Sequence, residues 1–418
     1  MLTEFVERIR SAHAANTPLV IQGGGSKIFY GNADEGEVLS TRALTGVVDY
    51  QPKELVLTAH AGTPLAEIEA LLAEQNQMLA FEPPHFGPLP LSPNGGTPDE
   101  ATNQSTKPAS GQVAGYLPLA GEGANDALCA PKPIYATLGG CIAAGLSGPR
   151  RPYAGAARDF VLGVKIIDGT GQPLRFGGQV IKNVAGYDVS RLMVGALGTL
   201  GLITEVSLKV LPQPAAETTL QFELDEAAAI LRMNQWAGQP LPLSAASWHA
   251  GLLAVRLSGA ASAVHAAQAR LGGEPLQDAS GFWQRLRDQA TPFFDKRPST
   301  LNQNLWRLAV KPTTPPLKLG DAQWIEWGGA LRWLASELPA AALREAARQA
   351  GGHATLFRGN PLPNPLPRAG EGANVMPSAL NDGAFAPLAP ALATLHRSLK
   401  QRFDPKGILN RGRLYPDF

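Results

Sequence analysis

The stretch that decides the fold runs from residue 182 to residue 205. It reads Lys182-Asn183-Val184-Ala185-Gly186-Tyr187-Asp188, passes Arg191 and Gly195, and ends Gly198-Thr199-Leu200-Gly201-Leu202-Ile203-Thr204-Glu205. Residues 188–193 can turn as a short helix, and residues 202–210 alternate apolar and polar side chains as a half-buried strand does. Between them lies a glycine-spaced turn, where the backbone N–H groups can approach a flat or anionic partner. The stretch therefore predicts a turn that contacts a ligand.

Composition limits the classes of protein to which the chain can belong. It has 418 residues, which suggests about two to three domains. The chain is 44% hydrophobic and 17% charged, so it can bury a substantial core. The formal net charge is +1, so no global basic field indicates nucleic acid or anionic lipid as a partner.

The cysteines and the N-terminal segment point to a cytoplasmic protein. Cys129 and Cys141 are the two cysteines, and they form no CxxC motif. We therefore expect no disulfide framework, no metal site and no iron–sulfur cluster held by this chain alone. Residues 1–8 carry acids and lack the basic start of a signal peptide, and no apolar run reaches membrane-spanning length. Contact with the inner membrane is expected only as a peripheral contact through partners.

An early strand over residues 18–22 runs into Gly23-Gly24-Gly25-Ser26-Lys27. A strand followed by glycines and a hydroxyl side chain can present N–H groups to a pyrophosphate. A plain flexible turn explains the same residues equally well. The motif is neither a GxxxxGK[ST] loop nor a GxGxxG fingerprint.

Two segments differ in composition from the rest of the chain. A nonapeptide at 117–125 recurs at 366–374 with one difference, Leu119 against Arg368. Both copies lie in stretches rich in proline and glycine that cannot bury enough surface to offset their ordering entropy. We predict inserted surface loops at about 88–136 and 359–381. A docking tail for a partner is the alternative.

The remaining segments predict a mixed fold. A small-residue helix bracketed by glycines covers residues 138–148, and an Asp-Gly turn joins a hairpin over residues 160–176. After Pro214 short strand and helix patterns alternate to residue 402, which indicates a compact α+β layer.

These motifs together resemble the FAD-binding domain of the vanillyl-alcohol-oxidase/PCMH flavoprotein superfamily. The run from Gly186 to Glu205 is the specific part of the resemblance. Further segments are similar to the family of FAD-binding (E) subunits of bacterial glycolate oxidase, over nearly the whole chain except the two inserts. They are Gly148-Pro149-Arg150-Arg151-Pro152, Phe176-Gly177-Gly178-Gln179-Val180, Trp327-Gly328-Gly329-Ala330-Leu331-Arg332-Trp333 and Gly351-Gly352-His353-Ala354-Thr355.

The resemblance implies an α+β fold with three parts. Residues 1–213 would form a PCMH-type FAD-binding domain of two α/β subdomains. Residues 214–400 would form a smaller α+β cap domain. Residues 401–418 would form a C-terminal tail that packs back toward the flavin.

The resemblance also implies a cofactor and the residues that bind it. FAD would bind non-covalently, because the first glycine turn lacks the His or Cys that carries covalent flavin in other members of the superfamily. Its pyrophosphate would lie at residues 23–27, helix residues would pack along it, and the turn after residue 195 would close over it. The residues are Gly23, Gly24, Gly25, Ser26, Lys27, Gly139, Gly140, Gly145, Gly198, Leu200, Gly201 and Ile203.

Oxidation of a 2-hydroxy acid needs a cation for the carboxylate and a base for the hydroxyl proton. Arg150, Arg151 and Arg332 are candidates for the cation, and His353 or His85 for the base. Each has an ordinary structural explanation as well, such as an ion pair or a capped loop. The His-x-Gly-Asp-Gly-Asn-x-His motif of related catalytic subunits is absent from the sequence.

Three functions remain open from the sequence. The first is an FAD-binding subunit of a glycolate oxidase complex, which oxidises glycolate to glyoxylate together with a catalytic flavin subunit and an iron–sulfur subunit. The second is a self-sufficient FAD-dependent D-2-hydroxyacid dehydrogenase. The third is a scaffold subunit that has no catalytic role.

Overall fold

The computed structural model describes residues 1–33, 35–86, 134–178, 188–294, 304–320, 323–359 and 383–416. Most of both predicted inserts, and the first part of the stretch quoted above, up to Tyr187, lie outside these residues. The helices are α1 (Leu2–Ala15), α2 (Leu65–Glu74), α3 (Leu138–Ala144), α4 (Arg151–Ala154), α5 (Ala157–Phe160), α6 (Glu226–Ala237), α7 (Ala261–Leu271), α8 (Ala279–Arg287), α9 (Ala340–Gln349) and α10 (Pro390–Phe403).

The strands fall into four sheets. They are β1 (Leu19–Gln22), β2 (Glu37–Ser40), β3 (Val47–Gln51), β4 (Val56–His60), β5 (Gln77–Met78), β6 (Val161–Ile167), β7 (Pro173–Gly177), β8 (Leu202–Lys209), β9 (Leu211–Pro212), β10 (Ala216–Glu223), β11 (Leu243–His249), β12 (Leu252–Gly259), β13 (Glu274–Pro275), β14 (Asn304–Ala309), β15 (Gln323–Glu326), β16 (Leu331–Ser336) and β17 (His353–Arg358).

A five-stranded antiparallel sheet, in the order β3-β4-β8-β6-β7, carries the main core of the first half of the chain. Strand β8 lies at its centre, and the side chains of Val206 and Leu208 are fully buried there. Helices α2 and α3 contribute Ile68 and Ile142 to the same apolar cluster. Burying such side chains is the dominant favourable term in forming this layer.

The β6–β7 hairpin is stabilised by its predicted Asp-Gly turn. The Asp168 carboxylate accepts hydrogen bonds from the Thr170 amide at 2.8 Å, the Thr170 hydroxyl at 2.7 Å and the Gln172 amide at 2.9 Å. An aspartate that bonds the amides following it is the usual way of closing such a turn. The prediction of the hairpin is confirmed.

A parallel pair, β1 and β2, lies beside the end of the chain. Leu19 forms a parallel bridge with Leu409, and α1 packs Ile9 against the same cluster. The first strand and the last residues of the chain are therefore neighbours.

An eight-stranded antiparallel sheet, in the order β13-β10-β12-β11-β15-β16-β14-β17, holds most of the second half of the chain. One face is covered by α6, α7 and α9. The other face, called the inner face here, packs Trp333 and Phe357 against Tyr30 and Leu146 of the first half. The sequence pattern did not predict strand β11, because its central residues, Ser244-Ala245-Ala246-Ser247, have little β-propensity.

The predicted α+β fold class is confirmed, because helices and largely antiparallel sheets make up both halves. The helix predicted at 138–148 ends earlier, at Ala144, because Gly145 adopts φ 64° and stops it as a left-handed cap. Tyr135 and Ala136, at the end of the range predicted as an insert, are ordered. Tyr135 bridges Gly25 and Ala136 is buried in the core.

Candidate cofactor and substrate site

The first glycine turn leaves strand β1 and runs directly against residues 135–137. A Cβ atom on Gly24 would overlap the Tyr135 carbonyl oxygen, and one on Gly23 would overlap the Thr137 hydroxyl. Arg42 holds the turn from the other side, donating to the Gly23 carbonyl at 3.2 Å and the Gly24 carbonyl at 2.7 Å. The glycines are thus required by close chain packing, independently of any ligand.

The same turn also presents free donors. Within the described part of the chain, the amides of Gly24 and Gly25 donate no hydrogen bond. Backbone N–H groups without a partner in the protein are suited to bind the oxygens of a phosphate. The turn therefore has both the close packing and the open donors that a pyrophosphate cradle requires.

The second glycine turn lies next to the first. Asn410 connects them, because its Oδ1 accepts from the Ile21 amide at 2.6 Å and its Nδ2 donates to the Leu197 carbonyl at 2.6 Å. Gly198 has φ 74°, and a Cβ on it would lie 2.7 Å from the Asn410 amide nitrogen. The tail residue Asn410 therefore fixes the distance between β1 and the 195–201 turn.

Helix α3 packs against the same turn through its glycines. Gly139 lies on Ala61, where a Cβ would come within 2.7 Å of the alanine Cβ, and its amide donates to the Ala61 carbonyl at 2.7 Å. A Cβ on Gly145 would lie 2.9 Å from the Gly195 backbone. The structure thus gathers residues 23–25, 139–145 and 195–198 around one region.

The apolar residues predicted to close over the cofactor lie in the main core. Leu200 and Ile203 are both buried in the cluster of the five-stranded sheet, and Gly201 packs on Ile166. Cys141 is buried in the same cluster, and burial raises the pKa of its thiol to about 12, so it stays protonated.

Lys27 is the titratable group at the glycine turn whose pKa is most displaced. Its Nζ lies 3.1 Å from the Ser26 hydroxyl and 5.5 Å from the centre of the Phe86 ring. Burial lowers the pKa of Lys27 to about 8, while Cys141 and Asp288 partly oppose the shift. A half-buried ammonium whose hydrogen-bond partner among the described residues is a hydroxyl favours the approach of an anion.

A cleft opens between the first half of the chain and the inner face of the eight-stranded sheet. The space between these walls, counted together with the open solvent at its mouth, is about 350 Å³. The loop after β5 and residues 146–149 form one wall, the end of α8 forms the floor, and the sheet forms the other wall. The side chains that line it include Gln289, Arg307, Glu326, Leu331, Trp333 and Phe357.

Arg307 is a cation without an acidic partner among the described residues. Its guanidinium lies over Trp327 at 5.1 Å and over Trp333 at 6.0 Å. Arg151 lies over Trp327 as well, at 4.3 Å, and is exposed. Burial and the Arg307 charge lower the pKa of Arg151. Two like charges held close together favour a bound anion.

Glu326 is a buried carboxyl group in the sheet wall. Trp333 Nε1 donates to its Oε1 at 2.7 Å. Burial raises the pKa of Glu326 to about 7, while the Trp333 bond and Arg307 oppose the shift. A carboxyl group that titrates near neutral pH can hold or release a proton under working conditions.

Arg150, predicted as a cation for substrate, belongs to an ion-pair network. It pairs with Glu82 at 3.4 Å and Glu217 at 2.7 Å, and Arg256 pairs with Glu82 at 2.8 Å. Glu82 and Arg150 come from the first half of the chain, and Glu217 and Arg256 from the eight-stranded sheet. The network therefore joins the two halves.

Arg332 lies on the opposite face of the sheet from the cleft. Its guanidinium is fully buried and donates to the Gly329 carbonyl at 2.7 Å, the Thr314 carbonyl at 2.7 Å and the Glu226 carboxylate at 3.3 Å. The three partners come from α6, the 327–329 turn and the loop after β14, so Arg332 ties these segments together and has a structural role.

The two histidine candidates lie at different places. His85 Nε2 lies 3.1 Å from Glu69, and the His85 amide donates to Asp288 at 2.9 Å. His353 begins β17, opposite Ala309, and is exposed. Partial desolvation, followed by the Arg307 charge, lowers the pKa of His353. Of the sequence candidates, Arg151 and His353 are therefore the two near Arg307.

Sequence reasoning did not select Arg307, Glu326 or Gln289. The strand pattern could have indicated Arg307, because Leu305, Arg307 and Ala309 alternate along β14 and therefore share one face of the sheet. In the part of the chain that the structure describes, no group of three metal-ligating side chains occurs.

Comparison with known proteins agrees with this geometry. The sequence model of the FAD binding domain family matches residues 2–92. Two solved structures of alkyldihydroxyacetonephosphate synthase share the fold, with TM-scores of 0.55 and 0.56 over 98% and 97% of this chain and 75% and 74% of theirs, at 15% and 16% identity. The fold, the family match and the two glycine turns define an FAD-binding flavoprotein.

The particular family follows from a full-length relative. The chain is 41% identical to glycolate oxidase subunit GlcE of Escherichia coli over 99% of its own length and 97% of the relative's. The chain belongs to this family of glycolate oxidase subunits, and the predicted resemblance is confirmed. Glycolate oxidase subunit GlcD of Bacillus subtilis is 42% identical over 22% of this chain and 20% of its own.

D-2-Hydroxyglutarate dehydrogenase of Xanthomonas citri is 25% identical over 52% of this chain and 36% of its own length. None of the helices that the structure describes has both the length and the apolar character needed to cross a membrane.

Proposed function

We propose that this chain is the FAD-binding subunit of a glycolate oxidase that oxidises glycolate to glyoxylate. The observation that carries the proposal is the full-length similarity to glycolate oxidase subunit GlcE. The first glycine turn adds to it, because the amides of Gly24 and Gly25 have no acceptor among the described residues. The FAD-dependent activity on 2-hydroxy acids is supported by relatives that include D-lactate and D-2-hydroxyglutarate dehydrogenases.

FAD in this proposal is held by the three gathered segments. The amides of Gly24 and Gly25 face the pyrophosphate, with Gly23, Ser26 and Lys27 completing that turn. Gly139, Gly140 and Gly145 allow close approach along the cofactor. Gly198 and Gly201 shape the second turn, with Leu200 and Ile203 behind it in the core. When bound, FAD supplies the hydride acceptor.

The chain's own residues orient the cofactor and keep it away from water. In this proposal residues 1–213 form the FAD-binding domain, residues 214–400 the cap domain and residues 401–418 the tail. The ion-pair network of Glu82, Arg150, Glu217 and Arg256 holds the first two parts together. Asn410 and Lys400 dock the tail next to the second glycine turn.

The partners in this proposal are a catalytic flavin subunit and an iron–sulfur subunit. This chain's two cysteines cannot ligate a cluster alone, so in this proposal the iron–sulfur subunit supplies the cluster that takes the electrons. The protein would work in the cytoplasm, with peripheral contact to the inner membrane through those partners.

The test is purification from the native host under mild conditions, followed by absorbance spectroscopy and subunit identification. We expect flavin bands, flavin released into the supernatant by acid precipitation, and co-purifying iron. Flavin that stays with the acid precipitate would contradict non-covalent binding. A colourless chain that takes up no added FAD would contradict the proposed function.

A second function, a self-sufficient 2-hydroxyacid dehydrogenase, is favoured by one observation: the chain has its own cleft, in which Arg307 has no acidic partner among the described residues. Mixing the purified single chain with glycolate or D-lactate in the absence of oxygen distinguishes the two functions. Bleaching of its flavin without any partner would support the second.

A further inference from the structure

Arg307 lines the cleft, and its charge acts on the nearby Glu326 without forming an ion pair with it. It lies on the inner face of β14, between two tryptophan rings, and is only half-buried. No carboxylate among the described residues pairs with it. The neighbouring acid, Glu326, is engaged by Trp333. A guanidinium with its forked donors free matches a planar carboxylate.

Gln289 provides an independent observation in the same cleft. It is 7% exposed, and its Oε1 has no hydrogen-bond partner within the described residues. Its backbone holds φ 54°, an uncommon conformation for a residue other than glycine. A buried acceptor without a donor costs free energy, so it marks the place where a ligand donor fits.

The other walls limit the size and polarity of the ligand. Leu146, Leu331 and Phe357 are buried apolar side chains around the cleft. They offer no partner to a second charged group, and Arg287, which also lines the cleft, is already paired with Asp288 at 2.9 Å. The exposed Arg151, over the same tryptophan as Arg307, adds positive potential that attracts anions.

We propose that this cleft is a binding site for a small monocarboxylate that carries a hydroxyl group, with Arg307 holding the carboxylate and Gln289 Oε1 accepting the hydroxyl hydrogen bond. The inference rests on the proposed function, because a 2-hydroxy acid such as glycolate is the simplest ligand with these two groups. It goes further in giving this subunit a substrate site of its own and naming the residues.

The test is ligand-observed NMR of glycolate mixed with the purified flavin-loaded chain, with acetate and ethylene glycol as probes that each lack one group. Glycolate should bind, acetate should bind more weakly, and ethylene glycol should not bind. Arg307→Met should weaken glycolate binding at least tenfold. Arg232→Met is the matched control, since Arg232 lies over Trp236 at 5.6 Å on the far side of the sheet.

Gln289→Leu tests the hydroxyl contact. It should leave acetate binding unchanged and remove the advantage of glycolate over acetate. Arg307→Lys keeps the charge and should recover part of the binding. It keeps the inference testable if Arg307→Met fails to fold.

Equal glycolate binding by Arg307→Met and Arg232→Met would overturn the inference, as would no glycolate binding by the wild-type chain. The flavin content of the same samples separates the two proposals. A flavin-loaded chain that does not bind glycolate refutes only the substrate site. A chain that cannot bind FAD refutes the proposed function.

Discussion

Lys400 is the side chain on which docking of the tail most depends. Its buried Nζ donates at 2.8 Å to each of three oxygens: the Thr199 carbonyl, the Leu409 carbonyl and the Asp404 carboxylate. Its side chain is 6% exposed and that of Asp404 is fully buried. Lys400→Met removes all three bonds while keeping most of the apolar stem.

The expected loss can be worked out from these contacts. Hydrogen bonds to a charged group contribute about 1.5–3 kcal/mol each, so three would suggest a larger loss than is usual for one residue. Asp404 keeps two amide donors, from Ile408 and Leu409, which softens the loss. Removing one partner of a buried pair typically costs about 3–5 kcal/mol. For a chain of 418 residues, that corresponds to a fall in Tm of roughly 3–6 °C.

The assay is thermal unfolding of the wild type, Lys400→Met and Lys406→Met. Lys406 lies in the same segment and makes one exposed bond, to the His13 carbonyl, so its variant should be close to wild type. Because Thr199 follows Gly198, Lys400→Met should also release FAD faster. Adding Asp404→Asn to Lys400→Met should recover part of the stability by removing the unpaired buried charge.

Equal Tm values for Lys400→Met and Lys406→Met would refute the argument that the tail is held through Lys400. A double variant less stable than Lys400→Met would refute the reasoning about the uncompensated carboxylate.

Three further predictions concern the glycine turn, the joint between the halves and the cleft. Gly24→Ala should fail to fold or lose FAD, because its Cβ overlaps the Tyr135 carbonyl. Gly238→Ala is the control and should be tolerated, because its Cβ would meet its nearest atom at 3.7 Å. Solubility and flavin content measure both variants. Glu82→Gln should cost about 3 kcal/mol in urea unfolding because it leaves Arg256 with a weakened partner at 3% exposure, and Glu7→Gln, on an exposed pair, should cost less than about 1 kcal/mol. Glu326 has a raised pKa in the folded chain, so the stability from its protonated form is present below about pH 4.5 and is lost as pH rises to about 7, by about 3 kcal/mol in all. Glu326→Gln should therefore flatten the loss of stability in that window, and an unchanged slope would show that another group titrates there.

The sequence by itself determined the fold class, the family and the location of the glycine turns. Its information was local: the glycine run after β1, the Asp168 turn and the alternation of β8 each specify a short piece of backbone through sterics and burial. The superfamily followed from the run that ends at Glu205, and the family from further segments such as 148–152 and 327–333.

Only the tertiary structure decided which charged residues face the cleft. The sequence does not tell which of Arg150, Arg307 and Arg332 faces the cleft, because the partners of each side chain come from distant parts of the chain. Pairing with Glu82 and Glu217 places Arg150 at the joint between the halves, and the alternation of β16 turns Arg332 away from the cleft. Arg307 has no acidic partner and Gln289 Oε1 has no hydrogen-bond donor among the described residues. Both facts depend on which side chains the fold brings close to them.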